Sequence, residues 1–225
     1  MYRQKFAEAQ NAYESSIKIS PENPAGYYRL GNLQRIQKQY DAALNNFEKA
    51  LALNENLIDV FSGVIAIHAQ RKEFDTAIKK CDRQLERADQ KPVMAAIVHN
   101  LKGGVYLASN NKSKAEDAFK KAIAASPDYL RSYYALARIY ISENNEDQAI
   151  AQYEAALDVN PKQASAHMLL ATIYDLQKQF ELSEKHYRAA LEINPDFVPA
   201  ANNLAYILAD QDKDINEALD LARLA

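Results

Sequence analysis

Apolar residues recur along the chain at helical spacing, in blocks of about a dozen residues broken by short polar turns. The clearest block pair is Leu130–Gln163. Leu136, Ala137 and Tyr140 share one stripe, and Asn144-Asn145 interrupts it. Ala149, Tyr153 and Ala156 form a second stripe, and Asn160-Pro161 ends it. The pattern predicts a helix, a tight turn, a second helix and a stop.

The same unit recurs along the sequence. Residues Arg3–Ile19 carry Ala9, Tyr13 and Ser16 on one face before Ser20–Pro24 stops them. They read as the second helix of a truncated repeat over 1–23. Full repeats follow at 24–57, 58–91, 96–129, 130–163 and 164–197, and a partial repeat fills 198–225. The chain therefore reads as an excerpt of a longer array. One small-residue column runs Ala9, Ala43, Ala77, Ala115, Ala149, Ser183, Ala218, with steps of 34, 34, 38, 34, 34 and 35. The step of 38 implies a four-residue insertion at 92–95, just over one helical turn. It predicts one extra turn at the start of the helix that follows Pro92, with a local change of superhelical path. The last step implies one extra residue in the turn Gln211–Ile215.

Five Gly, seven Pro and no Trp among 225 residues leave few helix breakers. A net charge of −3 supplies no global basic field, which argues against bulk nucleic-acid binding. The single cysteine, Cys81, excludes an internal disulfide. No apolar run approaches the ~20 residues needed to span a bilayer. The start MYRQKFAEAQ lacks an apolar h-region, so no signal segment is read, and the compartment stays open between cytoplasm and periplasm.

A 34-residue helix–turn–helix period resembles the tetratricopeptide repeat (TPR) family over nearly the whole chain. Tyr133, Leu136, Ala137, Tyr140, Ala149, Tyr153, Ala156 and Pro161 match its pattern throughout. The unit from Ile58 departs most, with His68 and Cys81 in aromatic columns and no closing proline. The resemblance implies an all-α fold, a right-handed superhelical α-solenoid of antiparallel helix pairs. Gly31, Gly103-Gly104, Ala137, Ala149 and Ala171 would sit where helices approach, and stacking of neighbours would supply the core.

In this family partners bind a concave groove lined by first helices. The first-helix residues outside the packing columns are the candidates: Tyr28, Asn32, Arg35, Asn100, Arg131, Tyr134, Arg138, Met168, Thr172, Asp175, Asn202 and Tyr206. Asp59, Ser62 and Leu107 share that position class. Arg131, Tyr134 and Arg138 fall on one stripe, and Tyr and Arg are the usual anchor types of interfaces. The opposing reading is that both arginines merely pair with nearby carboxylates. A chaperone-tail carboxylate clamp is not expected. Tyr28 stands where its Lys would be, and Gly63 where its second Asn would be. Nor do Asn32, Asn100 and Asn202 form the recurring asparagine ladder of sugar-transferase arrays. The last module, Asn202–Ala225, is similar to terminal repeats of long bacterial TPR proteins, including exported lipoproteins linked to exopolysaccharide and protein sorting.

Chemistry-bearing residues are sparse. His99, His167 and His68 occupy aromatic columns and read as packing residues, and His186, beside Tyr187, reads as solvated. No HxxxH, HExxH or Cys/His cluster is present, so no metal site is expected. Cys81 reads as a small buried apolar residue. Glu143, Glu146 and Asp147 surround a helix start. No nucleophile–base–orienter set is found, and neither catalysis nor a cofactor is expected. These readings favour a noncatalytic scaffold that binds a protein or peptide in its groove. The alternatives are the targeting or assembly arm of a larger bacterial envelope or enzyme system, and a homotypic self-assembly module.

Overall fold

The structure, a computed structural model, describes residues 2–88, 91–211 and 213–224. Among them are thirteen α-helices and no strand. Helix α1 spans Tyr2–Ile19, α2 Pro24–Ile36, α3 Tyr40–Leu53, α4 Ile58–Gln70 and α5 Phe74–Arg87. They are followed by α6 at Pro92–Ala108, α7 at Lys112–Ala125, α8 at Arg131–Ser142 and α9 at Glu146–Val159. The last four are α10 at Ala164–Leu176, α11 at Phe180–Ile193, α12 at Val198–Asp210 and α13 at Ile215–Leu224. The chain divides into two compact units, Met1–Ala118 and Phe119–Ala225.

Local sequence explains where the helices start and stop. Pro24 opens α2, where its missing N–H costs nothing, and the Asn23 side chain accepts from the Ala25 N–H at 2.9 Å. Asn145 caps α9 by accepting from the Gln148 N–H at 3.4 Å. The turns share a feature that the hydropathy pattern does not reveal. Lys38, Lys72, Asn110, Asn144 and Lys178 all have φ between 55° and 61°. The next residue donates back five positions, as from Gln39 N to Gln34 O and from Glu73 N to His68 O, both at 2.8 Å. This left-handed cap closes α2, α4, α6, α8 and α10 and reverses the chain within three residues.

First helices α2, α4, α10 and α12 have 13 residues each, and α6 has 17. Residues Pro92 to Ala95 are helical and open α6. The expected extra residue near Gln211–Ile215 falls in a turn whose Asp212 lies outside the described residues.

Within the first unit, α2 packs on α3 and α4 on α5, while α3 meets α4 and α5 meets α6. Phe47 is completely buried at the junction of repeats. A methyl group at Gly31 would stand 2.6 Å from its Cδ1, and one at Gly63 would stand 2.8 Å from its Cε2. Two first helices thus approach one ring from opposite edges, and both need a bare backbone there. Val60, Val64 and Ile67 extend this core, and Phe61, Ile65, Cys81 and Val105 build the next. Gly103 is buried as the column requires, but Gly104 is exposed, and nothing would lie within 4 Å of an added Cβ. The packing column therefore takes only the first of that pair.

In the second unit α8–α9, α10–α11 and α12–α13 are the packed pairs, with α9 against α10 and α11 against α12. Tyr153 and Tyr187 hold the column that Phe47 holds in the first unit, and both are fully buried.

Candidate functional site

In the first unit the outward residues of the first helices are largely engaged locally. Tyr28 is half-buried, with its ring tilted on Phe47 at a centroid distance of 6.3 Å. Arg35 Nε donates to Asn32 Oδ1 at 3.3 Å, so this pair on α2 is spent on itself. Ser62 donates to the Ile58 carbonyl. Asn100 is half-buried on α6, and Leu107 and Asp59 are exposed.

The second unit holds a different arrangement. Arg131 opens α8 and Arg138 follows two turns later, and both are exposed. Neither guanidinium is in an ion pair with another described residue. Between them Tyr134 is half-buried and packs against Tyr153, with ring centroids 5.7 Å apart at 59°. Its ring is therefore partly a packing residue, contrary to its reading as one left outside the columns. Its hydroxyl is buried and finds no hydrogen-bond partner among the described residues. An unsatisfied buried hydroxyl costs roughly 1–3 kcal/mol. Burial pushes the Tyr134 phenol up, and burial does the same to Tyr153, an effect the nearby Arg138 charge opposes.

On α10 and α12 the outward residues meet the second-helix tyrosine instead. Thr172 Oγ1 donates to the Met168 carbonyl at 2.9 Å and lies 3.3 Å from the Tyr187 hydroxyl. Asn203 Nδ2 donates to that hydroxyl at 2.9 Å. Met168 packs against the α11–α12 core. The Asp175 carboxyl is held above its usual range by burial and by the Asp210 charge. Asn202 and Tyr206 are exposed on α12. The structure thus gathers Arg138, Tyr134 and Tyr153 in one cluster, and Thr172, Tyr187 and Asn203 in another.

His186 is half-buried, not solvated. It faces His167 and stacks on Tyr174 at 5.7 Å, and burial lowers it to about 4, helped by the His167 and Lys185 charges. Asn203 and Asp210 join the site although the sequence reading passed over them. The available signal was the change from Phe47 and Phe119 to Tyr153 and Tyr187 in one buried column, because a buried phenol requires a partner. Cys81 is fully buried, and burial pushes its thiol up to about 12, which makes it inert as a nucleophile. No group of three or more His, Cys, Asp or Glu among the described residues could hold a metal ion. No described helix is long and apolar enough to cross a membrane.

Within each unit, helix pairs joined through left-handed turns, keyed through small residues and packed around a buried column of large side chains, define α-helical repeats. Models of the tetratricopeptide repeat family match residues 24–57, 68–129 and 134–197, and the chain belongs to that family. Its fold is typically a noncatalytic scaffold. The chain is 29% identical over 110 residues to the Hsp70-Hsp90 organizing protein of Triticum aestivum, covering 45% of this chain and 19% of that protein. It is 24% identical over 139 residues to cellulose synthase operon protein C of Pseudomonas fluorescens (strain SBW25), covering 60% of this chain and 11% of that protein. The match thus spans less than a fifth of the length of either relative. Among solved structures, a crystal structure of MamA superposes with a TM-score of 0.54 at 22% identity, over 74% of this chain and 95% of that one.

Proposed function

We propose that the chain is a noncatalytic scaffold that binds a protein or peptide segment along the outward face of its first helices, with its main anchor on α8. The carrying observation is the pair of exposed arginines on α8, Arg131 and Arg138, which flank Tyr134 and make no ion pair with another described residue. A carboxylate on the partner would receive two N–H groups from Arg138 or Arg131. The preformed helix face lowers the ordering cost of an extended segment. Similarity to an organizing protein supports an assembly role.

The test is a peptide array presenting acidic and neutral segments to the full chain. Wild type is expected to retain acidic peptides. Arg138→Glu or Arg131→Glu is expected to weaken capture by roughly tenfold or more, the value of a charge-assisted hydrogen bond. Equal capture by folded variants, judged by circular dichroism, would reject this face. A second reading, the assembly arm of a larger bacterial envelope system, rests on the similarity to cellulose synthase operon protein C.

A further inference from the structure

His167 lies in the first turns of α10, His186 lies in the middle of α11, and the hairpin brings their rings together. Their Nδ1 atoms stand 2.9 Å apart, with ring centroids at 5.2 Å. His167 Nε2 faces the Pro161 carbonyl at 3.3 Å. A carbonyl only accepts, so Nε2 carries the hydrogen and His167 Nδ1 keeps its lone pair. His186 Nδ1 therefore donates to it in the ion-free protein. Tyr174 stacks on the His186 ring with an interplanar angle of 24°. The Tyr174 hydroxyl is in turn 3.5 Å from Glu154.

We propose that His167 and His186 form a two-imidazole site for a divalent late first-row transition ion, Cu2+ foremost, bound through both Nδ1 atoms and completed by water.

The geometry suits such an ion. Imidazole nitrogens bind at about 2.0–2.1 Å, so two ligands at right angles stand about 2.9 Å apart and a tetrahedral pair about 3.3 Å. The observed separation is that of a cis pair in a square-planar or octahedral shell, and Cu2+ also heads the affinity order. Binding needs both Nδ1 lone pairs. The His186 hydrogen moves from Nδ1 to Nε2 through solvent, a change of tautomer with no net proton release. Small rotations about the Cβ–Cγ bonds then converge the lone pairs on a point beside the N–N line. The Pro161 carbonyl stays on His167 Nε2, as an outer partner does for a ligating imidazole. The bound ion would clamp α10 to α11 and leave water-filled positions for exchange. The pair is 19 residues apart in sequence, so no spacing motif announces it. This site is independent of the proposed partner face.

The test is a titration of the full chain with Cu2+ alone, followed by calorimetry and electron paramagnetic resonance. We expect one ion per chain, with hyperfine splitting from two imidazole nitrogens. His167→Gln and His186→Gln should each weaken binding roughly hundredfold, the loss of the second point of attachment. His99→Gln should leave it unchanged. Absent binding, or affinity that His167→Gln leaves intact, would overturn the site. If a variant loses its circular dichroism, the wild-type spectrum decides, and fewer than two coupled nitrogens counts against the proposal.

Discussion

Gly31→Ala tests the keyed packing most directly. In an unobstructed helix this change is worth about 0.5–1 kcal/mol of stability, because Gly gives up more chain entropy on folding. Here the new Cβ would lie 2.6 Å from Phe47 Cδ1, 2.7 Å from Cε1 and 3.2 Å from the Ala43 carbonyl. The ring cannot retreat, since Gly63 presses its opposite edge and Phe47 has no exposed surface. Overpacking of this kind costs about 1–3 kcal/mol, so the net expectation is a loss of roughly 0.5–2 kcal/mol. Removing the ring edge with Phe47→Leu should relieve most of the clash. In that background Gly31→Ala should turn neutral or stabilising, a coupling of about 1–2 kcal/mol. Gly104→Ala is the internal control, with open space around its Cβ, and should stabilise by about 0.5–1 kcal/mol. Urea unfolding of the full chain by far-ultraviolet circular dichroism, with amide exchange to localise the effect to α2 and α3, supplies the numbers. The reasoning fails if Gly31→Ala stabilises as Gly104→Ala does, or if its cost survives Phe47→Leu.

Lys72 holds a left-handed conformation at φ 61°, which costs an L-residue roughly 1–2 kcal/mol, so Lys72→Gly should gain stability up to about that amount less the glycine entropy. A raised urea midpoint checks it, and a lowered one sinks it. Glu73 accepts from His68 at 2.6 Å and lies 2.8 Å from Arg71, and the His68 bond, ahead of Arg71, holds its carboxyl below the usual 4.5. A depressed carboxyl stabilises the fold above its unfolded pKa and loses that contribution as pH falls through the folded value. The advantage of wild type over Glu73→Gln should therefore be full above about pH 5 and shrink below about 4.5. A carbon-detected titration midpoint for Glu73 at or above 4.5 would contradict this.

The fold was legible because each repeat poses the same packing problem and solves it with the same residue sizes at one period. The single irregular step in the repeat column falls where α6 runs to 17 residues. Side-chain polarity within that column was harder to read. Tyr153 and Tyr187 look equivalent to Phe47 by size, yet the Tyr187 hydroxyl recruits Thr172 and Asn203, and the Tyr153 ring draws Tyr134 inward. Helical spacing assigns a face to Tyr134 but does not say how far its ring leans toward the next helix. The His167–His186 contact is less visible still, because it depends on how two helices are set against each other after the turn. Arg131 and Arg138 are exposed, as long charged side chains outside the packing columns generally are.

The left-handed turn lysines have one more consequence. Lys38, Lys72 and Lys178 are exposed and sit in closed, hydrogen-bonded reversals. Trypsin cleaves extended backbone, so each of these bonds becomes scissile only after its own turn opens. When reclosing outpaces cleavage, the digestion rate at each lysine reports the opening equilibrium of that hairpin. The chain thus carries, at sites it already owns, a set of local gauges of how tightly each repeat is held.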